Sequence, residues 1–242
     1  MQRVAINNQI VICWQATLAK QAKPQVRDPD ATKLRILAAA TQEFAKFGLG
    51  GARVDRIATR AKSNKRMLYH YFGNKDELFA ITVENAYAEF REKEAALQLD
   101  SLEPVAAMRR LVSFIWGYFI AHPEFITLVN SENLHKAKHL KASKRNTEMS
   151  RKFVARMQAL LSRGEACGVF RHGLDPVQVN ISIAAIAYYY LTNRFTGSLV
   201  FERDLMTKPA LAARLSFNIA TTLRMVCTAE EIARLEKSGS LL

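Results

Sequence analysis

Lys65, Arg66, Tyr69 and His70 stand at i, i+1, i+4 and i+5. On a helix that spacing puts two long cations, a phenol and an imidazole on one side. The set is rich in hydrogen-bond donors, which suits recognition of an anion or a base edge. Arg66 suits a bidentate contact to guanine, Lys65 a guanine or a phosphate, and Tyr69 and His70 a phosphate or a thymine methyl. The opposite side carries Leu68, Tyr71 and Phe72, which would hold the helix against protein. Asn64 stands just before the helix, and both it and Tyr71 are within reach of the same partner. Lys75 falls in the first turn of the next helix, where free backbone N–H groups already favour an anion. Arg53, beside the start of the preceding helix, would grip a phosphate backbone from the other side. The plain alternative is a solvated basic face on a structural helix.

Three short elements must position this set. Asp28-Pro29-Asp30 reads as a helix start, with an Asp oxygen for orphan N–H groups and Pro in the first turn. Leu34, Leu37, Ala38, Thr41, Phe44 and Ala45 then recur as one apolar helical face, with Gly48 as its C-cap and Gly50-Gly51 as a loop. Val54, Ile57, Ala58 and Ala61 mark a second, short helix. A break at Lys62-Ser63-Asn64 separates it from the helix carrying Lys65 to Phe72. A longer helix followed by two short ones across a tight turn is the helix-turn-helix arrangement, and such a helix fits the DNA major groove. Asn74 with Glu77 forms a capping-box pattern that opens a fourth helix, running to about Leu97.

Charge follows the same division. Residues 1–80 hold fourteen Lys and Arg against six Asp and Glu, and residues 81–242 hold twenty-one against sixteen. A basic head on a nearly balanced body points to a polyanion, nucleic acid before membrane. Residues 1–27 contain four cations and no acidic residue, and read as a flexible basic arm. Ten Gly and six Pro in 242 residues, with no Asn-Gly or Asp-Gly pair, leave long stretches of helical period, so the fold class is all-α. Cys13, Cys167 and Cys227 form no metal or disulfide pattern, which fits a reducing cytoplasm. No stretch approaches the roughly 20 apolar residues that span a bilayer. No Ser-His-Asp set, P-loop or GxGxxG occurs, so neither an enzyme nor a cofactor is expected.

Past residue 100 the chain reads as longer helices over about 103–121, from Pro123, over 143–167, from Asp175-Pro176 and from Pro209 to about Cys227. That makes about nine helices in all: a head at 28–78, a body at 79–230 and a tail at 231–242. Ile181 to Leu191 is nearly all apolar or aromatic, more than one helical layer can hide. Aromatic and polar groups occur together at Trp116 and Phe119, at Glu132 and Asn133, and at Tyr189, Asn193 and Arg194, the mixture that holds small ligands. His135 and His139 at i, i+4 with Glu132 could hold a metal. Lys136, Lys138, Lys141, Lys144 and Arg145 around them oppose a cation, so this stretch reads as a solvated connector without metal.

Ile36-Leu37-x-Ala39-Ala40-x-x-x-Phe44-x-x-x-Gly48, Val54-x-x-Ile57-Ala58-x-x-Ala61 and Leu68-Tyr69-x-Tyr71-Phe72-x-x-Lys75-x-x-Leu78 together resemble the N-terminal domain of the TetR family of regulators, over about residues 30–80. Gly168-x-Phe170-Arg171 and Asp175-Pro176 are similar to a pattern common in the family's C-terminal domains. The resemblance implies a repressor that binds an inverted-repeat operator as a homodimer, with the last two long helices of each chain forming a four-helix bundle, and that an unidentified small-molecule effector releases. The alternatives are a constitutive, sequence-tolerant DNA binder and a helical small-molecule carrier whose basic head is incidental. The turn departs from the family pattern: Lys62 stands where Gly eases the chain, Ser63 where an apolar plug is usual, and Ala52 where Thr often caps the second helix. These changes imply an altered operator preference.

Overall fold

The structure is a computed structural model that describes residues 28–141 and 143–241. The basic arm expected at 1–27 lies outside the described residues. Among those described there are eleven α-helices: α1 (Pro29–Gly51), α2 (Val54–Arg60), α3 (Lys65–Phe72), α4 (Lys75–Ala95), α5 (Pro104–Ala121), α6 (Pro123–Leu134), α7 (Lys144–Ala166), α8 (Pro176–Thr192), α9 (Arg194–Val200), α10 (Lys208–Val226) and α11 (Ala229–Lys237). The all-α reading holds. The two helices beyond the expected nine are α9 and α11, the shortest in the body at 7 and 9 residues, too short for a helical period to stand out in the sequence.

The starts follow the cap chemistry. Asp28 Oδ1 accepts from the amides of Asp30 and Ala31. Asn74 and Glu77 close a full capping box on α4, and Asp175 caps α8 ahead of Pro176. Gly48 lies in left-handed backbone (φ 63°) and breaks α1, but a further helical turn follows it, so Gly50 and Gly51 are helical and not a loop.

The apolar face expected on α1 needs correction. Ile36, Ala39, Ala40 and Phe44 are buried in the head cluster and Glu43 is buried as well, whereas Leu34 is 67% exposed. Leu34, Leu37, Ala38 and Thr41 line a separate cleft of about 400 Å³, shared with α4 and with Tyr118, Glu124 and Phe125 of the body. Helix α1 therefore has two apolar flanks, one for the head and one for the head–body junction. A single-face reading selects one of them.

Two clusters form the core. The head cluster takes Ile36, Phe44, Ile57, Leu68, Phe72, Leu78, Phe79 and Val83, and also Leu128 from α6. The body cluster is centred on α5, whose Met108, Leu111, Val112, Ile115, Trp116 and Phe119 are buried. Helix α4 runs through both, with Phe79 in the first and Phe90 in the second. Buried Glu94 on α4 accepts from Arg91 and from Arg156 of α7, each at 3.2 Å, tying the helix to the body. Burial pushes the Glu94 carboxyl up against the pull of both guanidinium groups.

Gly164 illustrates how tightly the body is closed. The Phe170 ring lies so close that an added Cβ would sit 2.0 Å from it, and Phe170 is only 2% exposed. The segment after α7 is fixed there by Phe170 N–H to Gly164 O (3.0 Å) and Arg171 N–H to Val226 O (2.8 Å). Gly164→Ala is expected to cost about 2–3 kcal/mol as overpacking, read as a lowered urea midpoint at fixed protein concentration. An unchanged midpoint would mean that the ring moves freely.

Candidate nucleic-acid interface

The scaffold beneath α3 begins with an ion pair whose carboxylate is buried and whose guanidinium is partly exposed. Glu43 of α1 is fully buried, and its Oε1 accepts from Arg56 Nε at 2.6 Å and from the Arg53 amide at 3.0 Å. Burial works against the charged carboxyl, but Arg56 and the amide outweigh it and hold Glu43 below the usual carboxylate range. Arg56 continues to Gly51 O and lies over the Phe47 ring, 4.2 Å from its centroid. This network fixes the start of α2 on α1. It was missed in the sequence because Glu43 precedes Phe44 on what reads as a polar step; the signal was an acid on the buried i, i+4 row with an Arg thirteen residues on.

The turn between α2 and α3 is the strained one. Lys62 N–H bonds Thr59 O (3.1 Å) and Ser63 N–H bonds Ala58 O (3.0 Å), the paired bonds of a helix end whose terminal residue is left-handed. Lys62 has φ 49°, and it occupies the position where glycine was expected to ease the chain. A side chain there costs about 1–2 kcal/mol, offset in part by the chain entropy that glycine would lose on folding. Lys62→Gly should raise the melting temperature by about 2 °C. A lower melting temperature would mean that the lysine stabilises the turn.

Asn64 then caps α3, its Oδ1 accepting from Met67 N–H at 2.8 Å. Leu68 is fully buried and Phe72 6% exposed, so the inward face of α3 is as read. Tyr71 is half-buried against the head cluster with Lys33 over its ring, which places it with the packing face and not with the outward set. Lys65, Arg66, Tyr69 and His70 are all exposed. The structure therefore brings together the four donors that the spacing grouped. Lys65 reaches Asp55 of α2 at 3.1 Å, and that bond pushes its ammonium pKa up. Exposed pairs of this kind contribute little to stability, so Lys65 remains free to exchange Asp55 for a phosphate.

The flanking cations differ. Arg53 is exposed at the start of α2. Lys75 is half-buried, with Nζ 3.3 Å from Ala52 O and 3.5 Å from Gly50 O. It sits on the carbonyl end of α1, and its charge stands between that helix end and the N-terminus of α4.

The residues grouped as a ligand pocket do not converge. Trp116 and Phe119 are buried in the body core and meet α8 through Tyr190 and Tyr188 (centroids 5.5 and 6.4 Å). Tyr189, between those two, is 64% exposed. Glu132 is 2% exposed and committed to the chain after α6: it accepts from the His139 and Leu140 amides and from His139 Nδ1 (2.7 Å). Asn133 bonds back to Val129 O, Asn193 to Tyr189 O, and Arg194 to Leu191 O, each within its own turn of chain. The reading of 135–141 as a solvated connector also needs correction, since the His139 side chain is 5% exposed and Leu140 packs on the head cluster.

A further feature of the body is an uncovered apolar surface. Ile181 and Tyr189 of α8 and Phe217 of α10 are 55%, 64% and 57% exposed, and Phe195, Leu199, Val200 and Phe201 around α9 are each 62% or more. Arg214 lies between Tyr190 and Phe217. No single helix among the described residues is long and apolar enough to cross a membrane.

Residues 36–81 match the N-terminal domain described as bacterial regulatory proteins of the tetR family, and residues 104–222 match the tetracyclin repressor-like C-terminal domain. The chain is 40% identical over 200 residues to the HTH-type transcriptional repressor NicS of Pseudomonas putida, covering 83% of this chain and 94% of that protein. It is 33% identical over 104 residues to the HTH-type transcriptional regulator HbdR of an Aromatoleum species, covering 41% and 44%. Among solved structures, a putative transcriptional regulator from Streptomyces coelicolor superposes with a TM-score of 0.63 at 26% identity, over 81% of this chain and 98% of that one. The fatty acid degradation regulator FadR of Bacillus halodurans shares the fold at 20% identity, with a TM-score of 0.62 over 83% and 97%.

Proposed function

The chain belongs to the TetR family of bacterial regulatory proteins, and from that premise we propose that it is a DNA-binding transcriptional repressor that grips an inverted-repeat operator as a homodimer and lets go when a small molecule binds. The observation that carries this reading is the outward face of α3. Arg66, Lys65, Tyr69 and His70 are exposed together on a short capped helix whose other face is locked into the head. Arg66 supplies base reading, Lys65 and His70 add phosphate or base-edge contacts, and Arg53 with Lys75 frames them at the helix ends on either side. The match to NicS over nearly its whole length, in a protein named as a repressor, supports repression over activation.

The uncovered surface of α8, α9 and α10 supports the homodimer. Apolar area of that extent on a head-bearing body is the usual mark of a partner surface, and a second copy places two α3 helices one DNA turn apart, about 34 Å. An effector seated in the cleft of about 400 Å³ between α1, α4 and α5–α6 would touch head and body at once. A ligand favouring one spacing of the heads over the other shifts the operator equilibrium by that difference in affinity.

Transcription in vitro from the promoter upstream of the protein's own coding region tests the reading. Saturating protein should lower the run-off product at least tenfold. Unchanged transcription, with the protein bound to that promoter, would overturn repression as the mode of action.

A further inference from the structure

The chain between α6 and α7 carries the densest run of positive charge in the body. From Asn133 to Thr147 it holds Lys136, Lys138, Lys141, Lys144 and Arg145 and no acidic residue. It is not a slack connector. Glu132 clamps it from within, through both carboxylate oxygens, to the His139 and Leu140 amides and to His139 Nδ1. Lys136 and Ala137 are in left-handed backbone (φ 56° and 55°), and the Ala137 amide returns to Glu132 O at 3.0 Å. His139 packs edge-on against Phe79 of the head with centroids 5.0 Å apart, and Leu140 lies on the same cluster. Farther along, Arg145 reaches Asn85 of α4 at 3.3 Å. The stretch 135–141 is thus seated on the head by His139 and Leu140.

Its position matters because of what it abuts. Lys138 Nζ lies 3.5 Å from Asp76, and Asp76 occupies the first turn of α4, next to Lys75 and directly after α3. Both members of that pair are more than half exposed. Lys136 and Lys141 are exposed and make no ion pair among the described residues. The acidic groups nearby are spoken for: Glu77 closes the α4 capping box, Glu132 is buried in the clamp, and Glu84 faces Arg145.

Resting on the DNA-binding reading above, we infer that Lys136, Lys138 and Lys141 form a second phosphate-binding element, supplied by the body, that grips the duplex backbone beside the α4 N-terminus and outside the bases read by α3. The charge density suits a polyanion, the buried clamp removes the ordering cost that a flexible loop would incur, and the weak Lys138–Asp76 pair exchanges readily for a phosphate. Because the contacts are to backbone, the loop adds affinity without sequence preference.

The test compares the wild-type homodimer with K136Q/K138Q/K141Q on two duplexes: the inverted repeat alone, and the same repeat with about one helical turn of extra DNA on each side. Each lost phosphate contact lowers the slope of log affinity against log salt by about 0.9 per chain. If two of the three lysines engage phosphates, the slope becomes shallower by about 2 per chain, which at about 150 mM salt corresponds to roughly thirtyfold in affinity per half-site. That loss should appear on the long duplex and equally on scrambled DNA of the same length, with the specificity ratio unchanged. The control K152Q/K237Q removes charge elsewhere and should leave the slope as it was. The inference is overturned if the triple variant matches wild type on the long duplex, or if the control loses as much. Wild-type protein that shows no preference for any operator would instead overturn the parent reading, an outcome visible before any variant is made.

Discussion

R66A/Y69A is expected to erase operator discrimination while the protein remains folded. Both side chains are exposed, and neither contributes to the head core, so melting should hardly change. A bidentate contact to a base is worth about 1–3 kcal/mol of discrimination, and a homodimer loses it at both half-sites. The ratio of operator to scrambled-DNA affinity should therefore fall about thirtyfold or more. Binding to scrambled DNA should fall only a few-fold, since Lys62, Lys65, Arg53 and Lys75 remain. Equal losses on both DNAs would show that the face holds phosphates and that bases are read elsewhere.

I181D/F217D should convert the protein to a monomer and cost more affinity than any single DNA contact. The two side chains are 55% and 57% exposed on α8 and α10. In an isolated chain the aspartates would sit in water, so folding should survive. Two such charges facing their copies across an interface would be buried unpaired, at a cost of several kcal/mol. Without the partner, the second recognition helix no longer binds as an intramolecular event, and operator affinity should drop by about 10²–10⁴. Sedimentation would give the mass and a titration the affinity. A variant that stays dimeric would place the interface on another face.

How far the sequence foretold these features depends on how local the causes are. The caps at Asp28, Asn74 and Asp175 are set by a few neighbouring residues, and each can be read from spacing alone. The same is true of the outward set on α3, where four donors face away from Leu68 and Phe72, with Tyr71 the one residue the spacing left on both sides. The left-handed Lys62 could be anticipated, because the turn demands a positive φ whatever residue occupies it. The sequence showed less where a residue has two neighbours or a distant one. Helix α1 serves both the head and the cleft, and periodicity cannot rank two flanks. Glu43 found Arg56 across a turn, and Lys75 found the carbonyls of Gly50 and Ala52 more than twenty residues away. The stretch 135–141 looked solvated from its lysines, because the buried Glu132 that folds it inward precedes the run. Residues grouped as a ligand pocket by composition alone were scattered by the helices that carry them.

The most direct test of a sequence-reading, dimeric DNA binder is a competition between the protein's own upstream intergenic DNA and scrambled DNA of equal length, at about 150 mM salt, where phosphate-only binding is suppressed. A preference of a hundredfold or more, at two chains per site, is the expected result. Equal and steeply salt-dependent binding to both DNAs would contradict it, and would mark the Lys62–Arg66 turn as part of a general, sequence-tolerant DNA grip.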